Sequence, residues 1–359
     1  MTVARLQRRV EATAISILAQ TPSLRHHLLR AAARRGRSLV VCYHTIAPHR
    51  HGEQIIEPIA PELFAAQLRA LQQAGDIVPL ADILTRGPNA RPAFAVTLDD
   101  DDPSHVRYAL PVLRELGVHA TFFLSARSLH GLGAYWWTRL QQSVAEVGLE
   151  ETCCRVGHRG RTLKELARVC RANAFVRELE TAAPLPAMSV EDIRTLADAG
   201  MTIGFHTIRH PLLTKLSRAE LATALLDGRD ALADAAGREV EYLAYPYGGV
   251  NARVAAMARR LAYSAAFTLG DRPTHASGDP FVVSRWQPGS APPDRLIAEA
   301  ALRLMLSPRV ELEAADEIPA PVDHPAEIRA NQLRIRVPHG IPGGEIGRGS
   351  YPAAHECPR

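Results

Sequence analysis

The sequence of 359 residues lacks any apolar run long enough to cross a bilayer, so a membrane-spanning helix is not predicted. It has only five cysteines, an odd number, and this favours reduced thiols over a framework of disulfides. Its net charge of +4 is small for this length. Basic residues do not alternate with aromatic ones, so the pattern of a nucleic-acid-binding groove is absent. No internal repeat is present.

The basic residues that are present concentrate near the start of the chain. The apolar run of the first twenty residues is interrupted by threonine, serine and glutamate and shows no cleavage site, which favours a short amphipathic helix over a signal peptide. We therefore expect a cytoplasmic protein whose N-terminal basic helix either faces solvent or contacts a membrane surface. The arginines concerned are Arg5, Arg8, Arg9, Arg25, Arg30, Arg34, Arg35 and Arg37.

Strand-like and helix-like segments alternate over residues 38–290. This pattern is typical of a parallel sheet surrounded by helices, either open or closed into a barrel. Residues 126–187 interrupt it and are predicted to form a helical insertion. We therefore expect a basic helical segment over residues 1–37 and an α/β domain over 38–290. Residues 291–359 are predicted to hold one more helix and then a disordered tail rich in proline and glycine.

Four consecutive aspartates, Asp99–Asp102, follow the apolar strand-like run Phe94–Leu98. Asp102 and Pro103 are typical of a helix start, with the aspartate as N-cap and proline at the first helical position. The other three carboxylates lie at the C-terminal end of a strand, where active sites form in α/β proteins. The acid run is therefore either a solvated loop or the site of a cation.

Two histidines, His206 and His210, follow the strand-like segment Met201–Phe205. Their spacing allows both imidazoles to bind one ion. One carboxylate and two histidines, with a position left for water, form a common catalytic zinc or iron site. A second carboxylate beside the ligand can take a proton from water, and the acid run supplies both.

A third motif is the turn after the strand-like segment Tyr242–Tyr245. The chain turns sharply at Pro246 and Tyr247, which exposes backbone N–H groups at the strand end. Such donors can stabilise an oxyanion. The alternative is an ordinary turn with packed tyrosines.

Taken in order, three motifs resemble those of the polysaccharide deacetylase (NodB-homology) family, carbohydrate esterase family 4, over roughly residues 38–290. The resemblance implies an irregular (β/α) barrel of about seven parallel strands. It also implies a metal-dependent hydrolase that removes N-acetyl groups from amino sugars of a polysaccharide or glycan precursor. The motifs are Thr97-Leu98-Asp99-Asp100-Asp101, His206-Thr207-Ile208-Arg209-His210 and Ala244-Tyr245-Pro246-Tyr247.

The resemblance also implies a role for each site residue. Asp99 corresponds to the general base, while Asp100, His206 and His210 correspond to the ligands of a divalent metal. Zinc suits these ligands best, and cobalt, nickel or iron would also bind them. The backbone N–H of Tyr247 corresponds to a donor that holds the tetrahedral oxyanion.

The general acid is assigned less directly. Many members supply it from a Leu-x-His motif near the end of the domain, and this chain has none, since His275 has the wrong neighbours. Some relatives instead carry an early strand that ends in Tyr-His, as Val40–His44 does here. We therefore predict that His44 protonates the departing amine, against the alternative that it only forms hydrogen bonds at the strand end.

Three positions depart from the family pattern. Leu98 replaces a phenylalanine. Asp101 replaces a glycine, and we expect it to occupy a turn with positive φ and to raise the pKa of Asp99. Ala244 replaces an arginine that steadies the base, and Arg285 is predicted to take over that role.

These departures leave other functions open. One is a catalytically silent relative that only binds carbohydrate, and another is an amidohydrolase of a non-sugar or N-formyl amide. The aromatic cluster Tyr135, Trp136 and Trp137 either stacks on sugar rings or packs in the core.

Overall fold

The computed structural model describes residues 3–48, 53–172 and 187–306. Short strand segments, most of them buried and apolar, recur along the chain and pair in parallel. They are β1 (Ser38–Tyr43), β2 (Asp76–Ile77), β3 (Ala93–Asp99), β4 (Ala120–Leu124), β5 (Thr202–Phe205), β6 (Tyr242–Ala244), β7 (Ala265–Leu269) and β8 (Val283–Trp286).

These strands form a closed barrel. Seven of them follow one another in the order β1, β3, β4, β5, β6, β7 and β8, and β8 pairs again with β1. The two-residue strand β2 lies outside this ring and pairs with the start of β3. The predicted (β/α) barrel of about seven parallel strands is therefore confirmed.

Helices cover the outside of the barrel, and none of those in the described ranges has the length and apolar character to span a membrane. The segment predicted to be a helical insertion, residues 126–187, contains the helices Trp136–Val147, Leu149–Val156 and Leu163–Ala172. Its residues 173–186 and the predicted tail after residue 306 lie outside the described residues. The helices are α1 (Val3–Gln20), α2 (Pro22–Ala33), α3 (Pro61–Ala74), α4 (Leu80–Thr85), α5 (Leu110–Glu115), α6 (Trp136–Val147), α7 (Leu149–Val156), α8 (Leu163–Ala172), α9 (Val190–Asp198), α10 (Arg218–Leu226), α11 (Arg229–Ala236), α12 (Ala252–Arg260) and α13 (Pro293–Leu304).

Successive residues of each strand face opposite sides of the barrel wall, as the two-residue period of a strand requires. In β1, Leu39 and Val41 pack with the surrounding helices in the large outer core. Val40 instead packs with residues of the other strands, such as Ala95 and Phe267, in a separate inner core. The inward-facing set of β1 therefore continues through Cys42 to His44 at the strand end.

The N-terminal helices pack on the last helix of the described chain. Ile15 and Leu18 of α1 are buried against Ala298 of α13. Arg37, which follows α2, donates a hydrogen bond to the carbonyl of Leu304 at the end of α13 (2.9 Å). The basic N-terminal segment is thus anchored to the barrel domain through α13.

The helix after the acid run starts with a π-helical turn, His105–Ala109, which continues directly into α5. The N–H of Leu110 donates to the carbonyl of His105, five residues earlier. The next residue, Pro111, has no N–H to donate, and a missing donor of this kind favours irregular turns. This wide turn lies beside the carboxyl ends of β1 and β3, where the candidate site forms.

Candidate functional site

Three inward-facing residues from neighbouring strands meet at the carboxyl end of the barrel. Tyr43 of β1 pairs with Leu98 of β3, so the next residues along each strand, His44 and Asp99, lie side by side. Arg285 of β8 is paired with Val40 on the other side of β1. The closure of the barrel thereby brings together residues that are far apart in sequence.

Asp99 and Arg285 form a buried ion pair with two parallel hydrogen bonds. The Nη1–Oδ1 and Nη2–Oδ2 distances are 2.5 and 2.7 Å. Burial alone would raise the pKa of Asp99, but Arg285 and His206 outweigh this and the pKa falls below its usual value. The expectation that Asp101 would raise the pKa of Asp99 is therefore wrong, because the guanidinium charge dominates.

Asp100, His206 and His210 form a group that can hold a metal ion. One ligand atom from each lies within 4.8 Å of the other two, and all three residues are buried. Asp100 Oδ1 is 3.8 Å from Nε2 of both histidines, and the two Nε2 atoms are 3.1 Å apart. The three ligand atoms therefore face one common point.

The chemistry of these atoms fits a cation. Asp100 Oδ1 is buried and has no hydrogen-bond partner among the described residues. Burial raises the pKa of Asp100, and the carboxylates of Asp99, Asp101 and Asp102 raise it further. A buried carboxylate with three acidic neighbours is stabilised by a positive charge, and a metal ion bound to this oxygen supplies one.

The histidines are held as neutral ligands. Nδ1 of His206 bonds to the carbonyl of Ala244 at 2.9 Å, which assigns the proton to Nδ1 and leaves the Nε2 lone pair facing Asp100. Burial lowers the pKa of His206, and burial together with His206 lowers the pKa of His210. Neutral imidazoles are the form that binds metals.

Asp101 has a structural role that the sequence did not reveal. Its Oδ1 accepts the N–H of Ser125 at 2.6 Å, and its Oδ2 accepts the N–H of Arg127 at 2.8 Å. Both donors belong to the loop that follows β4. Positive φ occurs at Asp100 (76°) and not at Asp101. The prediction of positive φ at Asp101 is therefore wrong, and the residue before it has this conformation.

Arg127 connects this loop to the histidine segment. Its guanidinium donates hydrogen bonds to the carbonyls of Ile208 and Gly133, both at 2.8 Å, and lies over the ring of Tyr135. Arg127 therefore fixes the backbone between His206 and His210. No motif in the sequence marks Arg127 as a site residue, although it stands three residues after β4, at the same barrel end as the acid run.

Left-handed backbone conformations concentrate in these loops. Among the described residues other than glycine, those with positive φ also include Thr207, His210 and Tyr247, at 61°, 49° and 58°. Each such conformation costs of the order of 1 kcal/mol or more, and strain of this kind clusters at functional sites. Tyr247, predicted to act through its backbone N–H, holds its ring edge-on to His210 with centroids 4.4 Å apart.

The aromatic cluster forms a wall beside the metal ligands. The rings of Tyr135 and Trp137 are stacked at 4.3 Å, and both meet His210 edge-on. The Nε1–H of Trp136 donates to the hydroxyl of Tyr247 (3.2 Å). Tyr135 and Trp137 also line a cavity of about 500 Å³ whose floor is the acid run. Packing in the core and stacking on sugar rings, the two alternatives predicted for this cluster, are therefore compatible, since the rings pack on one another and also border the cavity.

His44 lies at the edge of the site. One nitrogen of its ring and one oxygen of Asp99 lie within 4.8 Å of each other and of the thiol of Cys42. Burial lowers the pKa of His44 to about 4, although Asp99 acts in the opposite direction. These three residues form a poor metal site, because Asp99 is bonded to Arg285 and burial raises the pKa of the Cys42 thiol.

The main chain of His44 is fixed by a buried histidine of the π-helical turn. Nε2 of His105 lies 3.0 Å from the carbonyl of His44 and donates to it. Asp102 fixes the same region by accepting the hydroxyl of Thr45 at 2.6 Å and the N–H of Ser104 at 2.9 Å. Asp102 was predicted to cap the helix that follows. In the structure its Oδ1 accepts the N–H of Ser104, two residues later, just before the π-helical turn.

Comparisons with known proteins agree with this fold. The family model described as polysaccharide deacetylase matches residues 86–266, half of the chain. The deacetylase PplD of Streptococcus pyogenes, solved in complex with acetate, has a similar structure with a TM-score of 0.51 and 18% identity. That match covers 75% of this chain and 99% of the other. A polysaccharide deacetylase of Bacillus cereus is similar with a TM-score of 0.50 and 17% identity, over 73% of this chain and 68% of the other. No curated protein sequence matches the chain.

Proposed function

Because the chain belongs to the polysaccharide deacetylase family, we propose that it is a metal-dependent hydrolase that removes N-acetyl groups from the amino sugars of a glycan. The observation that carries the proposal is the buried group Asp100, His206 and His210, placed directly beside the Asp99–Arg285 ion pair. A metal site next to an oriented carboxylate is one arrangement that can catalyse amide hydrolysis.

The metal would be held by Asp100, His206 and His210. One oxygen and two nitrogen ligands suit zinc best, and cobalt, nickel or iron also bind such a set. When bound, the ion supplies Lewis-acid chemistry, which polarises the amide carbonyl and makes water more acidic. All other steps belong to residues of this chain.

Asp99 is the residue that we assign to take a proton from the attacking water. It must be ionised to do so, and the ion pair with Arg285 keeps its pKa low. The two hydrogen bonds from Arg285 also fix the direction of the carboxylate, as the missing arginine at Ala244 would have done. The absence of an arginine at position 244 therefore does not favour a silent protein.

His44 and Tyr247 complete the proposed mechanism. The lowered pKa of His44 leaves its imidazole neutral before the reaction, so the proton that it delivers to the amine as the C–N bond breaks is the one that neighbouring Asp99 has taken from water. The backbone N–H of Tyr247, held in a left-handed turn beside His210, is assigned to the oxyanion of the tetrahedral intermediate.

The test is acetate release. We expect zinc-loaded protein to release acetate from N-acetylglucosamine oligomers, and Asp99→Asn to be slower by at least about 100-fold, as for loss of a general base. Sugar binding without release of any acid would instead support the silent carbohydrate-binding alternative. Release of formate or another acid from a different amide would support the alternative amidohydrolase.

A further inference from the structure

The start of the helical insertion forms a wall that is tied to the barrel domain at both of its ends. At one end, Nε2 of Gln141 on α6 donates to Oε1 of Gln54 at 2.6 Å. The N–H of Ile55 donates back to Oε1 of Gln141 at 3.0 Å. The segment between β1 and α3 is thereby joined directly to α6.

The same end is reinforced by α8. Oε2 of Glu53 accepts the N–H of Leu163 at 2.7 Å, at the first turn of that helix. Lys164 forms an ion pair with Glu57 at 2.8 Å. The side chain of Ile55 packs against the small core inside the insertion, which includes Leu140. The described residues of the insertion and of the β1–α3 segment are therefore packed against each other.

The other end of the wall reaches the loop after β6. Trp136 donates its Nε1–H to the hydroxyl of Tyr247, and Tyr135 and Trp137 stand against His210. The wall thus runs from the β1–α3 segment, past the metal ligands, to the turn after β6. On this side, the described residues of the wall border the carboxyl end of the barrel.

A pocket lies against this wall and reaches the proposed metal site at Asp100. Its volume of about 500 Å³ lies in the range of roughly 300–1,000 Å³ that is usual for small-molecule sites. Its lining combines the amides of Gln54 and Gln141 and the hydroxyls of Thr45 and Thr138 with the ring of Trp137. Amides, hydroxyls and an aromatic ring suit the hydroxyl groups and the apolar face of a single sugar.

We infer that the site accepts the terminal sugar of a glycan or a short oligosaccharide, and not an interior sugar of a long polymer. The inference rests on the proposed function, since it concerns the substrate of the same site. An interior sugar has a chain leaving in two directions and needs a cleft that is open on both sides. Here the described residues of the wall stand on one side of the pocket, so we expect the glycan chain to leave the site in one direction.

The test uses N-acetylglucosamine oligomers of two to six sugars, with the position of the first free amine located by tandem mass spectrometry. We expect the first amine at an end sugar at every length. A first amine at an interior sugar of the hexamer would overturn the inference and leave the proposed function intact. Absence of acetate at every length would instead overturn the proposed function.

Measuring the affinity for the oligomers gives a second test, which does not depend on turnover. With Asp99→Asn, we expect the affinity measured by calorimetry to stop rising once the pocket is filled, so that tetramer and hexamer bind equally. A steady rise in affinity up to the hexamer would indicate an open cleft and contradict the inference.

Variants that remove contacts between the β1–α3 segment and α8 test whether these contacts cause the selectivity for end sugars. Glu53→Ala combined with Lys164→Ala removes contacts that lie outside the pocket lining, so we expect the dimer to be deacetylated as before and interior products of the hexamer to rise several-fold. The matched control is Arg155→Ala, which breaks an exposed ion pair with Glu151 on α7 and leaves these contacts intact. An unchanged product pattern in a folded double variant would show that these contacts do not determine the selectivity for end sugars. If the double variant fails to fold, the product pattern of the wild-type protein and the binding series with Asp99→Asn still decide the inference.

Discussion

The carboxylate of Asp99 is held by both terminal nitrogens of Arg285, and neither side chain is more than 2% exposed. The two residues are 186 positions apart in sequence. Thr97 and the carbonyl of Thr268 accept further, longer hydrogen bonds from the same guanidinium, both at 3.4 Å. The pair is therefore a buried structural and electrostatic unit at the centre of the site.

We expect Arg285→Ala to lower the free energy of unfolding by about 3–5 kcal/mol, because it leaves a buried carboxylate without its counter-charge. Urea unfolding measures this loss. The control is Arg69→Ala, whose ion pair with Glu115 is about half exposed and should contribute at most about 1 kcal/mol. Equal losses of unfolding free energy in the two variants would show that the buried ion pair contributes no more to stability than the exposed one.

Arg285→Lys separates charge from geometry. Lysine keeps the positive charge but cannot form two parallel bonds to one carboxylate. We expect acetate release to fall while most of the stability remains. Turnover equal to that of the wild type would contradict the assignment of Arg285 as the residue that orients Asp99.

Metal content tests the ligand assignment. We expect the purified protein to bind about one divalent ion per chain, and Asp100→Ala, His206→Ala and His210→Ala each to lose it, because zinc sites need at least three protein ligands. Elemental analysis by mass spectrometry gives the content, with the exposed His130→Ala as the control. Removal of the ion by a chelator should abolish acetate release, and zinc or cobalt should restore it. Equal metal in all variants would refute the site.

Asp101 is expected to be necessary for stability. Asp101→Gly leaves the N–H groups of Ser125 and Arg127 without their acceptor, and each buried unsatisfied group costs about 1–3 kcal/mol. Asp101→Asn keeps one acceptor oxygen and should lose less. Urea unfolding gives both values, with the exposed Asp234→Asn as the control. A glycine variant that is as stable as the wild type would contradict this role of Asp101.

The role of His44 can be separated from a structural one by the leaving group. We expect His44→Gln to slow acetate release from amino sugars by about 100-fold or more, as for loss of a general acid, while metal content stays unchanged. Hydrolysis of 4-nitrophenyl acetate, whose leaving group needs no proton, should fall much less. His119→Gln, before β4 at the opposite end of the barrel, is the control. An equal loss on both substrates would indicate a positioning role only.

Much of the fold follows from local patterns. Apolar segments that alternate with helix-forming ones predict parallel pairing, and all parallel strands then place their carboxyl ends on one face. The acid run and the His206–His210 pair each follow a strand directly, so their meeting could be expected from the sequence. Closure of the sheet into a barrel was expected only from the family resemblance.

What each aspartate does was harder to predict. The conformation of the acid run depends on the loop after β4, which lies more than twenty residues away and supplies the N–H groups that bind Asp101. Those bonds leave the positive φ at Asp100. The pKa of Asp99 likewise depends on a guanidinium from β8, which no local pattern places there.

The sequence by itself determined the strand and helix periods, the barrel end that carries the site and the residue types that can bind a metal. Local chemistry suffices for these, because side-chain alternation and strand direction are properties of short segments. The tertiary structure decided which charges neutralise each other and where the wall of the pocket stands. These depend on barrel closure, through the pairing of β1 with both β3 and β8, and on the packing of the insertion, which join segments that are distant in the chain.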